Sequence, residues 1–410
     1  MEESIAELPL LATPKNSRVS LVESAAELTE ACEILASESG WFAVDAERAS
    51  GFKYSNRAYL VQISRGKSPL YLIDPAAIAP ELTTEPFAQL ATVMSKDTWI
   101  LHAATQDLPC LAQIGLHPES LFDTELAGRL LGLPRVGLGA MVEHFMGVRL
   151  AKEHSAVDWS IRPLHSDWLN YAALDIDVLD ELALKVRDSL EAENKLQFAN
   201  EEFAALVGFK PKPAKQDRWR SLSGLHEVKD AKSLAVAREL WLAREELAAR
   251  LDVAPGRLVP DASITAVAKE LPKSRSALAN QKTFIGRASR SYLDSWWDAV
   301  QSGLSTNDLP PLKLAPTGIP NHRNWASKFP EADARLSSLK PIATEIAQQL
   351  QMPLENLLTP DFMRALAWEP PTELSEDSVF RFLVELGARN WQATAVAARF
   401  TAALMAQKAN

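Results

Sequence analysis

The chain has 410 residues, 47% hydrophobic and 23% charged, with a net charge of −10, an ordinary globular composition long enough for two or three domains. No apolar run approaches the roughly 18 residues of a membrane span, and the acidic start MEESIAELPL lacks the basic lead of a secretory signal. Cys32 and Cys110 are too few for a disulfide framework or a thiolate zinc site, so a reducing cytoplasm is expected.

In chain order, WFAVDAE (41–47), AYLVQIS (58–64) and PLYLID (69–74) read as consecutive strands bounded by Gly, Asn, Lys and Pro turn residues. EPFAQLATVMS (85–95) reads as a helix and TWILHAA (98–104) as a further strand. TQDLPCLAQI (105–114) opens on a Thr N-cap signal, and a short LFD segment leads into the helix TELAGRLLG, with Gly132 as its stop. Residues 163–193 contain a long amphipathic helical stretch. A strand meander followed by strands alternating with helices indicates a mixed-sheet α/β domain over 21–205, behind an N-terminal tail at 1–20.

From about 206 the character changes. GFKPKPAKQDRWRSL has two Pro, four Lys/Arg before Trp219 and little periodicity, so 206–220 reads as a basic linker. Two small all-α domains are expected at 221–303 and 326–410, separated by a Pro-rich linker at 304–325. They resemble each other: AREELAARLDVAPGRLVPD (243–261) aligns with ATEIAQQLQMPLENLLTPD (343–361), including the ending L-x-P-D. Two copies of about 80 residues indicate a duplication rather than a solenoid. Trp296 and Trp297 close the first copy and are expected as core aromatics. Charge is uneven: residues 1–205 hold 16 Lys/Arg against 31 Asp/Glu, and residues 206–300 hold 17 against 11. That division suggests polyanion binding by the middle segment, with chance surface charge as the alternative.

Asp45 and Glu47 end the first strand of the meander. Side chains alternate along a strand, so both point the same way, with Cα atoms about 7 Å apart. An isolated D-x-E can simply be a strand running out into water. Asp107 begins a helix after a strand, where the helix dipole alone favours a carboxylate. Tyr171 and Asp175, in WLNYAALDIDVLDEL, are four apart on one helix face. Each is weak alone, but together they form an ordered set: D-x-E, an Asp about 60 residues on, then Y-x-x-x-D about 65 beyond.

This order resembles the DEDD superfamily of 3′-to-5′ exonucleases, in its tyrosine subclass; the sister subclass puts a His where this chain has Asn170. HAATQDL, LFDTELAGRLLGL and VDWSIRPLHSDWLNYAALDIDVL look like the ribonuclease D family, and the helical repeats resemble the helicase-and-ribonuclease-D C-terminal (HRDC) domain. The resemblance implies a ribonuclease H-like mixed-sheet fold followed by two small all-α domains. It implies a metal-dependent 3′-to-5′ exoribonuclease that releases nucleoside 5′-monophosphates from RNA, such as tRNA precursors or other structured RNA 3′ ends.

Phosphodiester cleavage by two metals needs hard oxygen ligands, and Asp45, Glu47, Asp107 and Asp175 can neutralise two divalent cations, Mg²⁺ or Mn²⁺. By resemblance, Asp45 would bridge both ions, Glu47 and Asp175 would share one, and Asp107 would hold the other through water. A phenol titrates near pH 10, so Tyr171 suits orienting the attacking water better than taking its proton. His102 is expected as a packed core group and Asp123 as a helix cap. Arg57, Gln62 and Arg162 fall in family-like motifs and would either touch the RNA 3′ end or make structural ion pairs. GLPRVGLGAMVEHFMG lacks a G-x-G-x-x-G fingerprint, and no G-x-x-x-x-G-K-[ST] is present, so no ATP site is expected. Two alternatives stay open from sequence: a 3′-to-5′ DNA exonuclease, and a catalytically silent RNA-binding protein.

Overall fold

The computed structural model describes residues 8–151, 156–213, 215–284, 286–314 and 318–409. Among them the strands are β1 (Leu10–Leu11), β2 (Val19–Val22), β3 (Phe42–Arg48), β4 (Ala58–Arg65), β5 (Leu70–Ile73), β6 (Trp99–Leu101), β7 (Leu121–Asp123) and β8 (Arg149–Leu150). Six form one mixed sheet in the order β2-β5-β4-β3-β6-β7, while β1 pairs with β8 apart from it. The meander β3-β4-β5 is antiparallel, and β2, β6 and β7 extend it in parallel pairs. Every residue of central β4 is buried, so it reads as a continuous apolar run broken only by Gln62 and Ser64 before Arg65 ends it.

The mixed-sheet α/β expectation holds, and three local readings change. The strand expected to reach residue 104 stops at Leu101, because Ala103 takes a left-handed conformation (φ 62°, ψ 52°) that turns the chain into a short helical turn. The helical stretch 163–193 is two helices, Ser166–Asp177 and Leu179–Ala192, with Val178 between them. The tail expected over 1–20 packs on the domain over its described part. The backbone N–H groups of Lys15 and Asn16 donate to Asp177 at 2.6 and 3.2 Å, and β2 begins at Val19. Just after β2, Ser24 and Glu27 form a reciprocal capping box that starts helix Ala25–Ser37.

The helical region follows the duplication. Helix Ala231–Leu251, turn Pro255–Leu258 and helix Asp261–Glu270 are matched by Pro330–Gln349, Leu354–Leu357 and Pro360–Trp368. The connecting residues Asp252 (φ 47°) and Gln351 (φ 50°) are both left-handed. The first unit has its own core, built on Trp219, Leu240, Phe284 and Trp296. Trp219, expected in the linker, belongs to that core, and Trp325 is likewise buried rather than in a linker.

The second unit shares one continuous core with the α/β domain. Trp391 stacks on Phe198 with ring centroids 4.5 Å apart, and Arg389 pairs with Glu202 at 3.2 Å. Gly132, the predicted helix stop, has φ +73°, and a Cβ there would meet the Gln351 carbonyl oxygen at 2.2 Å. Glycine at 132 therefore serves both the turn and the contact between the two units.

Candidate active site

β3 delivers Asp45 and Glu47 to the sheet edge of a cleft also lined by Asp107, Tyr171 and Asp175. Helix Ser166–Asp177 packs across β3, β4 and β5, and its one-turn spacing puts Tyr171 and Asp175 on the cleft side together. Asp45, Glu47 and Asp175 each offer a carboxylate oxygen, and the three oxygens lie within 4.8 Å of one another. Asp107 stands beside this trio rather than within it. It is the N-terminal residue of helix Leu108–Gln113, yet its side chain makes no capping hydrogen bond. Helix capping therefore does not account for a carboxylate at 107.

Asp123 does the capping. Its Oδ1 accepts from Glu125 and Leu126 N–H at 2.9 and 3.1 Å, as expected of a helix cap. It also accepts the N–H groups of Ala103 and Ala104 at 3.0 and 2.8 Å, bracing the left-handed turn that leads to Asp107. His102 is a packed hydrogen-bonded group, with Nδ1 2.9 Å from Thr124 Oγ1 and a pKa lowered to about 4 by burial.

The electrostatics of the cluster are those of a cation site. Burial pushes Asp45 up to about 6. Burial comes first, and neighbouring carboxylates second, in raising Glu47 well above the usual range, with Asp45, Asp175 and Asp107 all contributing. Asp107 and Asp175 are raised for the same two reasons, burial and then the charge of Asp45. Hard oxygen donors that are half-buried (Asp45, Glu47) or buried (Asp107, Asp175) and mutually repelling fit divalent cations. The Tyr171 hydroxyl donates to Asp175, and burial followed by the surrounding carboxylates drives its own pKa far above the ordinary phenol range.

Arg57, Gln62 and Arg162 do not line the cleft. Arg162 clamps the fully buried Asp74 through Nε at 2.5 Å and Nη2 at 2.8 Å, and donates to the Tyr59 carbonyl at 2.9 Å. Arg57 donates to the Pro80 carbonyl at 3.0 Å. Gln62 sits opposite Asp45 in β4, fully buried, with no hydrogen-bond partner among the described residues. Of the two expectations for these arginines, the contacts observed are structural: an ion pair for Arg162 and a carbonyl hydrogen bond for Arg57. Sequence reasoning missed Arg48, which does line the cleft. Its position directly after D-x-E was visible, but strict alternation would aim it at the opposite face.

A family model described as 3′-5′ exonuclease matches residues 19–191, an HRDC domain model matches 233–300, and a 3′ to 5′ exonuclease C-terminal domain model matches 318–404. The second helical copy thus answers to a different model from the first. Ribonuclease D of Acidiphilium cryptum is 30% identical over 308 residues, covering 72% of this chain and 75% of its own. The chain belongs to the ribonuclease D family.

Ribonuclease D of Granulibacter bethesdensis is 27% identical over 85% of this chain and 86% of its own. A crystal structure of a protein from Bifidobacterium adolescentis superposes with a TM-score of 0.88 at 36% identity, covering 97% of this chain and all of that one. The fold of Escherichia coli RNase D also matches, with a TM-score of 0.66 at 23% identity over 95% of this chain and 99% of that one. As a member of the ribonuclease D family, the chain is a 3′-to-5′ exoribonuclease. The family depends on divalent metal, and the acidic cluster fits that requirement. Among the described residues, no helix is long and apolar enough to cross a membrane.

Proposed function

We propose that this exoribonuclease works through Asp45, Glu47, Asp107 and Asp175 as ligands of two divalent cations, Mg²⁺ or Mn²⁺, with Tyr171 orienting the attacking water. The observation that carries the reading is the convergence of Asp45, Glu47 and Asp175 oxygens within 4.8 Å, in a cleft that Asp107 also lines. When bound, the cations activate water and stabilise the departing oxygen. The chain's own residues do the rest. The carboxylates from β3, from the turn after β6 and from helix Ser166–Asp177 fix where the reacting phosphate must lie. Burial and then the surrounding carboxylates raise the Tyr171 phenol, which favours a hydrogen-bond donor over a base. Its link to Asp175 holds the hydroxyl at the cleft wall.

The substrates proposed are tRNA precursors and other structured RNA 3′ ends, in the cytoplasm. The basic segment 206–300 supplies phosphate contacts beyond those of the net-acidic first 205 residues. The domain scheme proposed is the exonuclease domain at 21–205 and HRDC-like helical units at 221–303 and 326–410, each drawing in a few residues before its bound: Val19 in β2, and Trp219 and Trp325 in the cores. A 3′-extended tRNA incubated with Mg²⁺ or Mn²⁺ should yield a ladder shortened from its 3′ end. Asp175→Asn should abolish the ladder, at least about 10³-fold, while leaving RNA affinity within about threefold. Full activity of the wild type in excess EDTA would overturn the reading.

A further inference from the structure

Arg48 follows Glu47 at the end of β3, where a regular strand would aim it away from Asp45 and Glu47. The pairing is irregular there, with the extra residue, Tyr59, on β4. The register against β4 shifts between Glu47, opposite Leu60, and Arg48, opposite Ala58. A bulge bends the ribbon and disrupts the ladder where β3 ends, and Arg48, the last residue of β3, lines the same cleft as Asp45, Glu47, Asp107 and Asp175. It is half-buried, and its charge acts on Asp45, Glu47 and Asp107.

A guanidinium placed there as a counter-charge should close onto a carboxylate in a bidentate pair, as Arg162 does on Asp74. Among the described residues the Arg48 guanidinium makes no hydrogen bond and no ion pair. Arg135, also in the cleft lining, is paired with Glu143 at 3.1 Å. A cation held open beside carboxylates works against the binding of metal cations. It makes chemical sense only if an anion arrives with them, and the anion this cleft receives is the RNA backbone.

We propose that Arg48 is a substrate-binding residue whose guanidinium contacts a backbone phosphate at the RNA 3′ end in the cleft. This rests on the reading of the cleft as the nuclease site. Planar, multiply donating and permanently charged, arginine suits a phosphate whose position is set by the carboxylates. The contact also explains a residue that no packing need of β3 requires.

The test is binding of a 5′-fluorescein-labelled single-stranded RNA of about ten nucleotides to the full chain, by anisotropy in EDTA from 50 to 200 mM KCl. Arg48→Gln should weaken binding about tenfold and flatten the slope of log Kd against log salt by about 0.7, one single-strand phosphate contact. Arg48→Lys should restore the slope. With Mg²⁺, Arg48→Gln should raise KM about tenfold and change kcat by less than about threefold. Unchanged Kd, slope and KM in Arg48→Gln, with only a lower Tm in EDTA, would make Arg48 a counter-charge and overturn the proposal. If Arg48→Gln does not fold, a lost slope in folded Arg48→Lys would overturn it, and a retained slope with weakened affinity would support it. A wild type that shows no metal-dependent hydrolysis would instead overturn the underlying site reading, whatever the Arg48 variants do.

Discussion

Asp45 shows the tension in the site most directly. Its carboxyl is shifted from 3.8 to about 6, so between those values the folded protein binds more protons than the unfolded chain. Stability therefore falls as pH rises through that window, the reverse of the usual carboxylate behaviour. Glu47, Asp107 and Asp175 are raised too and push in the same direction. In EDTA, Tm should fall between pH 5 and 7.5, and Asp45→Asn should flatten that fall. Mg²⁺ or Mn²⁺ at about a hundred times its Kd should add about 2.7 kcal/mol at pH 7.5. Calorimetry at both pH values checks the sign. Tyr171 sets the complementary case: the Tyr171→Phe variant loses one hydroxyl donor and no titrating base. Its kcat should drop about 10- to 100-fold with the shape of the pH–rate curve unchanged between pH 6.5 and 9. Loss in the variant of a rise in rate with pH would instead mark the phenol as a proton acceptor.

At the scale of elements, the turn from β6 to Asp107 depends on Asp123 at the end of β7. One buried carboxylate serves four backbone N–H groups, two of them on the left-handed Ala103 turn. Asp123→Ala should cost about 2–4 kcal/mol in urea unfolding and also lower kcat, because Asp107 loses its fixed approach to the cleft. Asp107, Tyr171 and Asp175 were legible in sequence because their order survives in one dimension. The strands 42–48, 58–65 and 70–73 were legible because their apolar runs are bounded by turn residues. What was not legible is tertiary. β2 is four residues long and only its last is buried, so its pattern carries little signal, and its place is set by pairing with β5. Ala103 takes a conformation that its own side chain disfavours. Arg48 lines the cleft at the end of β3, beside a register shift whose extra residue lies on the partner strand. The partners of Arg57 and Arg162 were left open by the sequence because the Pro80 carbonyl and Asp74 lie far from them along the chain.

For the whole molecule, the two helical copies have parted in their loyalties. The first keeps a core of its own and meets the α/β domain through a small polar seam. There Ser55 N–H donates to Asp252 at 2.8 Å, and Arg257 donates to the Gly51 carbonyl at 2.7 Å while lying over the Phe52 ring at 4.0 Å. The second is fused to the α/β domain through Phe198, Trp391 and the Glu202–Arg389 pair. Unfolding should then occur in two steps, with the first helical copy melting as its own unit. Trp296 is fully buried in the independent core, and Trp391 is 5% exposed in the shared one. Each Trp→Ala change should cost about 3–5 kcal/mol in its own unit. The same loss moves Tm by about 4–8 °C per kcal/mol in a unit of 60–100 residues and only about half as much in a larger one. Trp296→Ala should therefore shift one calorimetric transition by more than about 10 °C, leaving the other in place. Trp391→Ala should shift the other transition, less in degrees, and carry the nuclease activity down with it. A single transition moved by both substitutions would show that the polar seam couples the first helical copy to the rest as one cooperative unit.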